Sequence, residues 1–183
     1  MLETLQKVYS LETAAKRPNY AVLKYIFANI LLVAAPIFLD HPQILTGTIV
    51  NLILIYIAVN FRRNALLPAV FLPSLAALAK GVLFGPFTIY LAIFAPFIWI
   101  ANAIFIMAIR YFLMKNWRWI FTFGAGAILK AAFLFSVTLI LMQFIKIPSV
   151  FLQAMGILQL GTALMAGVIY ICANKARLFI SEK

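Results

Sequence analysis

The stretch "GAGAILKAAFLF", residues 124–135, is suited to a hydrocarbon interior except for Lys130 at its centre. A lysine on such a segment can pair with an anionic group of a ligand, bond to a neighbouring helix, or act as a base or Schiff-base nucleophile. Four uncharged side chains belong beside it: Asn51, Trp99, Asn102 and Gln159. On a helix, Ala95, Trp99, Asn102 and Ile106 share a face, which sets an indole plane next to an amide. Leu152, Gly156, Gln159, Ala163 and Gly167 share another, small except for Leu152 and Gln159, which lets a second helix approach closely. Asn51 falls about 10 Å along its helix, with Thr48 one turn above it. Each amide on its own fits interhelical bonding as well as ligand contact. Lys80, just before "GVLFGPF", is a second cation in apolar surroundings, either snorkelling to an interface or facing a pocket.

The elements that carry these residues follow from composition. Of 183 residues, 66% are hydrophobic and 10% charged, and the mean hydropathy is +1.09. Soluble domains are roughly half apolar and a quarter charged, so the chain is expected to be an all-α integral membrane protein. Formal net charge is +11 from 15 Lys and Arg against four acids, Glu3, Glu12, Asp40 and Glu182. The cations sit between apolar runs and not on one solvated face, which argues against nucleic acid as a partner. The single cysteine, Cys172, allows no intrachain disulfide and no multi-cysteine metal site.

Six hydrophobic stretches can be cut, residues 23–39, 44–61, 66–83, 87–109, 119–145 and 150–173. Each is near the roughly 20 residues needed to cross a bilayer. Residues 1–22 are read as an amphipathic N-terminal segment on the membrane surface, with Leu2, Leu5 and Tyr9 at helical spacing, and residues 174–183 as a basic tail. The first segment lacks the apolar core of a cleavable signal peptide. Lys7, Lys16, Arg17 and Lys24, then Arg62 and Arg63, then Arg110, Lys115 and Arg118, then Lys175, Arg177 and Lys183 fall on one side of a six-span bundle. The positive-inside rule makes that side, and both termini, cytoplasmic in a cell membrane. Gly85 and Pro86 suit a tight outer turn, and His41, beside Asp40 and Pro42, reads as a loop residue or a proton relay.

Lys130 lies 12 residues after Arg118 and 16 before Lys146, about 18 Å and 24 Å along a helix. That depth is beyond easy snorkelling, and a mid-span lysine costs roughly 2.5–3.5 kcal/mol on the insertion scale. The side chain must therefore face protein or a watery cavity. A lysine neutralised by burial, or one bonded to carbonyls at a helix break near Gly124 and Gly126, is the alternative to a ligand. With Lys80 also facing inward from outside, the pocket would be positive and favour a carboxylate or phosphate.

Missing motifs narrow the field. The chain has no G-x-x-x-x-G-K-[ST], no H-E-x-x-H, no G-x-S-x-G and no paired carboxylates within the spans. No catalytic residue, metal ligand or cofactor is expected from it, and it cannot itself be a P-loop ATPase. Acids are too few for a carboxylate-based proton antiporter, and no inverted repeat is evident. Any pumping energy must come from a partner.

Five blocks then carry a resemblance: "TGTIVN" (46–51), "LPSLAAL" (72–78), "FAPFIWIANAI" (94–104), "LKAAFLF" (129–135) and "MGILQLGTALMAG" (155–167). In order and spacing, from about residue 36 to 173, the chain resembles the substrate-binding S components of energy-coupling-factor (ECF) transporters, in a branch of unknown substrate. The resemblance implies a six-helix bundle that binds a small water-soluble micronutrient in a pocket open to the outside. It implies partners as well, a transmembrane coupling subunit and two cytoplasmic ATPases, with toppling in the bilayer to release the cargo. Lys130, Trp99, Asn102, Asn51 and Gln159 are then candidate substrate-binding or pocket-supporting residues, with Lys80 adding positive charge. Lys130 would pair with an anionic group, Trp99 would stack, and the amides would fix orientation. The A-x-x-x-A docking motif of better-known S components is missing from "YIFANILLVAAPIFL", where Ala28, Ala34 and Ala35 stand at other spacings. Two readings of other classes stay open: a non-transporting scaffold or accessory subunit in which Lys130 bridges helices, and a membrane enzyme that uses Lys130 as base or nucleophile.

Overall fold

A computed structural model describes residues 18–39, 42–62, 65–81 and 88–181. The expected amphipathic segment up to residue 17, Asp40, His41, Arg63, the turn at Gly85 and Pro86, and Glu182 and Lys183 lie outside the described residues. What is described is helical: α1 (Pro18–Phe38), α2 (Gln43–Asn60), α3 (Leu67–Lys80), α4 (Thr88–Met114), α5 (Trp119–Phe144), α6 (Val150–Met155) and α7 (Ile157–Ser181). In a medium without water, helices satisfy their own backbone groups, and apolar runs of this length leave them no competing structure. Counting α6 and α7 as one 28-residue apolar stretch, five helices are long and apolar enough to cross a membrane. The chain is a multi-pass helical membrane protein.

Two of the six expected spans differ from their reading. The third is the 14-residue α3, which Pro68 starts and Gly81 ends, so it is about 21 Å long against roughly 30 Å of hydrocarbon. The sixth is broken at Gly156, whose backbone turns to φ −98° and ψ −96° between α6 and α7. A Cβ there would meet the Leu152 carbonyl oxygen at 2.8 Å and the Phe135 ring at 2.8 Å. Glycine alone lets the chain bend while packing this tightly on α5. α7 also runs on to Ser181, so the basic residues Lys175 and Arg177 stand on helix.

Contacts at the helix ends fix the order of traverses. At one end Lys80 Nζ donates to the Ile37 carbonyl, Thr46 Oγ1 to the Leu39 carbonyl at 2.8 Å and Thr88 Oγ1 to the Gly81 carbonyl at 2.6 Å. At the other, Arg110 Nη1 donates to the Phe61 carbonyl at 2.6 Å, Asn60 Nδ2 to Tyr170 Oη at 3.3 Å, and Trp119 stacks on Tyr170 at 5.5 Å. Tyr25 meets Phe61 there too, with ring centroids 5.3 Å apart. The helices thus alternate in direction, and the first turns of α1 and the last turns of α7 come to the same, Arg110, end. Lys24, Arg62, Lys115, Arg118, Lys175 and Arg177 are all exposed at that end.

Two apolar clusters fill the bundle. One joins Leu32, Leu54, Ile57, Ala69, Phe105, Ile109, Phe123, Ala127 and Ala166. The other, toward the Lys80 end, joins Phe94, Ala101, Leu134, Phe151 and Met155, with Phe94 stacked on Phe151 at 5.4 Å. Large side chains such as Ile26, Phe27, Ile89, Phe121, Ile128 and Ile140 point outward instead. In a bilayer such outward faces meet lipid tails, so the helices are apolar all round.

Candidate functional site

Between the two apolar clusters lies a short polar chain. Lys130 projects inward from the middle of α5, eleven residues past Trp119 and fourteen before Phe144, and is 3% exposed. Its Nζ donates to Asn51 Oδ1 at 2.7 Å and lies 5.3 Å from the centre of the Phe105 ring on α4. The ring face is the negative pole of its quadrupole and attracts a cation. Asn51, 1% exposed, returns its Nδ2 to Thr162 Oγ1 at 3.0 Å. Thr162 in turn donates within α7, to the Leu158 carbonyl at 2.8 Å with the Gln159 carbonyl at 3.2 Å. The three helices α5, α2 and α7 are thereby bonded at mid-depth.

The local sequence explains why the chain closes there. α5 runs unbroken through Gly124 and Gly126, so no freed carbonyl of its own is near for Lys130 to bond. On α2, Gly47 sits one turn above Asn51, and a Cβ on it would come within 3.0 Å of Thr162 Cγ2. The absent side chain brings α2 and α7 close enough for Asn51 to reach Thr162.

The described residues hold no aspartate or glutamate, since the four acids are at positions 3, 12, 40 and 182. Lys130 therefore has an amide and an aromatic ring for company, and no carboxylate among the described residues. A buried cation normally has a countercharge. No group of three or more His, Cys, Asp or Glu suited to a metal ion occurs among the described residues either.

The other candidates fall elsewhere. Trp99 and Asn102 join α4 to α3: Trp99 Nε1 donates to Ser74 Oγ at 2.5 Å, and Asn102 Nδ2 to the Val70 carbonyl at 3.1 Å. The Trp99 ring meets Phe71 edge-on at 5.1 Å. Asn102 is buried one turn from Phe105 on α4, which brings it nearer the Lys130 layer than Trp99. Gln159 is half-buried and enters the cluster through its backbone carbonyl. Lys80, at the last position of α3, reaches the Ile37 carbonyl in the final turn of α1. Carbonyls in that turn lack intrahelical donors and carry the negative end of the helix dipole.

Two members of the site carry no signal of their own in the sequence. Thr162 is one hydroxyl among many in apolar runs, and the face drawn through Gln159 and Ala163 does not include it, although it stands three residues after Gln159 on the same helix. Phe105 is one of 17 phenylalanines. The useful clue for both is their distance from Lys130 in depth, which requires the traverse order. Comparison with protein-family profiles, curated proteins and solved structures gives no match.

Proposed function

We propose that the chain is a substrate-binding membrane subunit of the ECF type, which captures a small water-soluble micronutrient bearing a negative charge. The observation that carries this reading is Lys130, buried at mid-bundle and bonded to Asn51, with no acid among the described residues to answer its charge. A lysine at this depth is costly, and intramembrane ionisable residues mark ligand paths or relays by default. Lys130 is the charge partner, and Asn51 and Thr162 hold it in place. Asn102 and Trp99 brace α4 against the short helix α3.

The six traverses, with the cation-bearing end cytoplasmic, suit an entrance at the Lys80 end of a cell-membrane protein. There the short α3 and the broken α6–α7 leave less continuous helix than elsewhere in the bundle. Discontinuous helices at corresponding depths often border binding sites in transporters. Without nucleotide chemistry of its own, such a subunit works with a coupling subunit and ATPases.

One observation favours the scaffold reading instead: Lys130 is 3% exposed and already joins three helices through Asn51 and Thr162. The two readings separate in one experiment. The chain is co-expressed with the coupling and ATPase subunits of an ECF module and tested for co-purification and for binding of a panel of water-soluble vitamins, beside Lys130→Met. Co-purification with Lys130-dependent binding is expected. A chain that neither assembles nor responds to any vitamin is a scaffold.

A further inference from the structure

The charge inventory of the spans restricts the kind of molecule the Lys130 site accepts, and the restriction rests on the proposed function above. Lys80 is bonded at the end of α1, and Arg110 to the Ala58 and Phe61 carbonyls at 3.4 and 2.6 Å. Lys130 is thus the cation of the middle layer. Its hydrogen bonds run to the Asn51 amide and from there to the Thr162 hydroxyl, while the Asn102 amide of the nearby turn of α4 donates to the Val70 carbonyl. Beyond them the neighbours are apolar: Phe105 facing Nζ, Ala127 and Leu134 one turn either side of Lys130 on α5, and Leu54 one turn from Asn51 on α2, all buried.

Three consequences follow from burying a ligand in that layer. A carboxylate pairs with Lys130, whereas a second negative charge on the same molecule finds no further cation there and stays desolvated and unpaired. An ammonium on the ligand, in a zwitterion or a simple cation, finds no acid among the described residues and lies beside a like charge. The remainder of the molecule meets the buried apolar side chains one turn either side of Lys130, Ala127 and Leu134, and the Phe105 ring, which offer hydroxyls no hydrogen-bond partner, so an apolar frame fits and a polyhydroxylated one does not. We infer that the compound held at Lys130 is a monoanion on an apolar frame, with one carboxylate or equivalent group, and that zwitterions, dianions and cations are rejected.

The test uses the purified full-length chain in detergent micelles and two probe series that vary charge on a constant frame. One is 3-phenylpropanoate, phenylalanine, phenylsuccinate and 2-phenylethylamine; the other is hexanoate, norleucine, adipate and hexylamine. Thermal midpoints are read for the natural chain, for Lys130→Met and for Asn51→Asp. A probe at ten times its dissociation constant raises the midpoint by about 3–6 °C. The expected result is that shift for a monoanion of at least one series, lost in Lys130→Met. Asn51→Asp, which places a carboxylate against Lys130 and so supplies a folded control, loses it too. Palmitate as a further arm separates a bilayer-borne acid from a water-soluble one; a response to palmitate alone keeps the charge class and removes the water-soluble frame. A Lys130-dependent shift by the zwitterion, the dianion or the amine in place of the monoanion overturns the inference while leaving a ligand site at Lys130. A full monoanion shift in Asn51→Asp overturns it also. If no probe of any charge gives a Lys130-dependent shift, the inference falls, while the proposed function stands or falls separately on co-purification and the vitamin panel.

Discussion

Replacing Lys130 by methionine keeps an unbranched side chain and removes the ammonium, and two opposed effects decide the stability of the ligand-free protein. Relief from a mid-span lysine is worth roughly 2.5–3.5 kcal/mol on the insertion scale. Against this, Asn51 Oδ1, buried and accepting at 2.7 Å, is stranded at a cost of roughly 1–3 kcal/mol. The balance runs from about 0.5 kcal/mol lost to about 2.5 kcal/mol gained. At about 2–4 °C per kcal/mol for a chain of this size, the midpoint should lie between about 2 °C lower and about 10 °C higher. Asn51→Leu is the opposite case, because it leaves the lysine without its acceptor and should cost roughly 3–5 kcal/mol. The double variant Lys130→Met/Asn51→Leu removes both partners and should recover most of that loss. Thermal melts of the three variants in detergent, followed by size-exclusion fluorescence, measure all of it. A lysine kept for a ligand is tolerated at the expense of stability, whereas a lysine kept as a bridge supports it. If Lys130→Met lowers the midpoint by more than about 4 °C and leaves every ligand response intact, the reasoning is refuted and the scaffold reading stands.

Other outcomes follow from the same contacts. Gly156→Ala forces a Cβ against the Leu152 carbonyl at 2.8 Å and should destabilise by about 1–3 kcal/mol; an unchanged melt means the bend relaxes freely. Lys80→Met removes a cation from the last turn of α1, lowering stability by about 0.3–2 kcal/mol with the ligand response preserved. Loss of that response returns Lys80 to the pocket. Trp99→Phe breaks the bond to Ser74 at a cost of about 0.5–1.5 kcal/mol, and binding measured at saturation should not change. In a Cys172→Ala background, Gln43→Cys should react with an impermeant thiol reagent applied to intact cells and Lys115→Cys should not. The reverse pattern inverts the bundle and its entrance.

Much of the fold is legible in the chain because the bilayer imposes a simple rule. An apolar run of sufficient length must be a helix, and the basic residues between the runs alternate in a way that orders the traverses. The depth of Lys130 follows from counting residues at 1.5 Å each, which needs no knowledge of neighbours. The shortness of α3 and the bend at Gly156 were not legible in the same way. Hydropathy stays high across both, and what ends or bends each helix is backbone geometry set by one glycine in its local contacts. The candidate residues divide along the same line. Lys130 and Asn51 stand out by type and depth and are bonded to each other. Trp99 and Lys80, equally conspicuous by type, are bonded to Ser74 and to the Ile37 carbonyl.

By itself the sequence determined that this is a helical membrane protein with one lysine too deep to reach water and with all four of its acids outside the helical spans. Those facts depend only on composition and on position along the chain. Only the tertiary structure decided which side chains meet that lysine. The rotation of each helix about its axis is set by packing, by Gly47 against Thr162 and by the bend at Gly156. A helix that is apolar on every side gives the sequence no stripe from which to read that rotation.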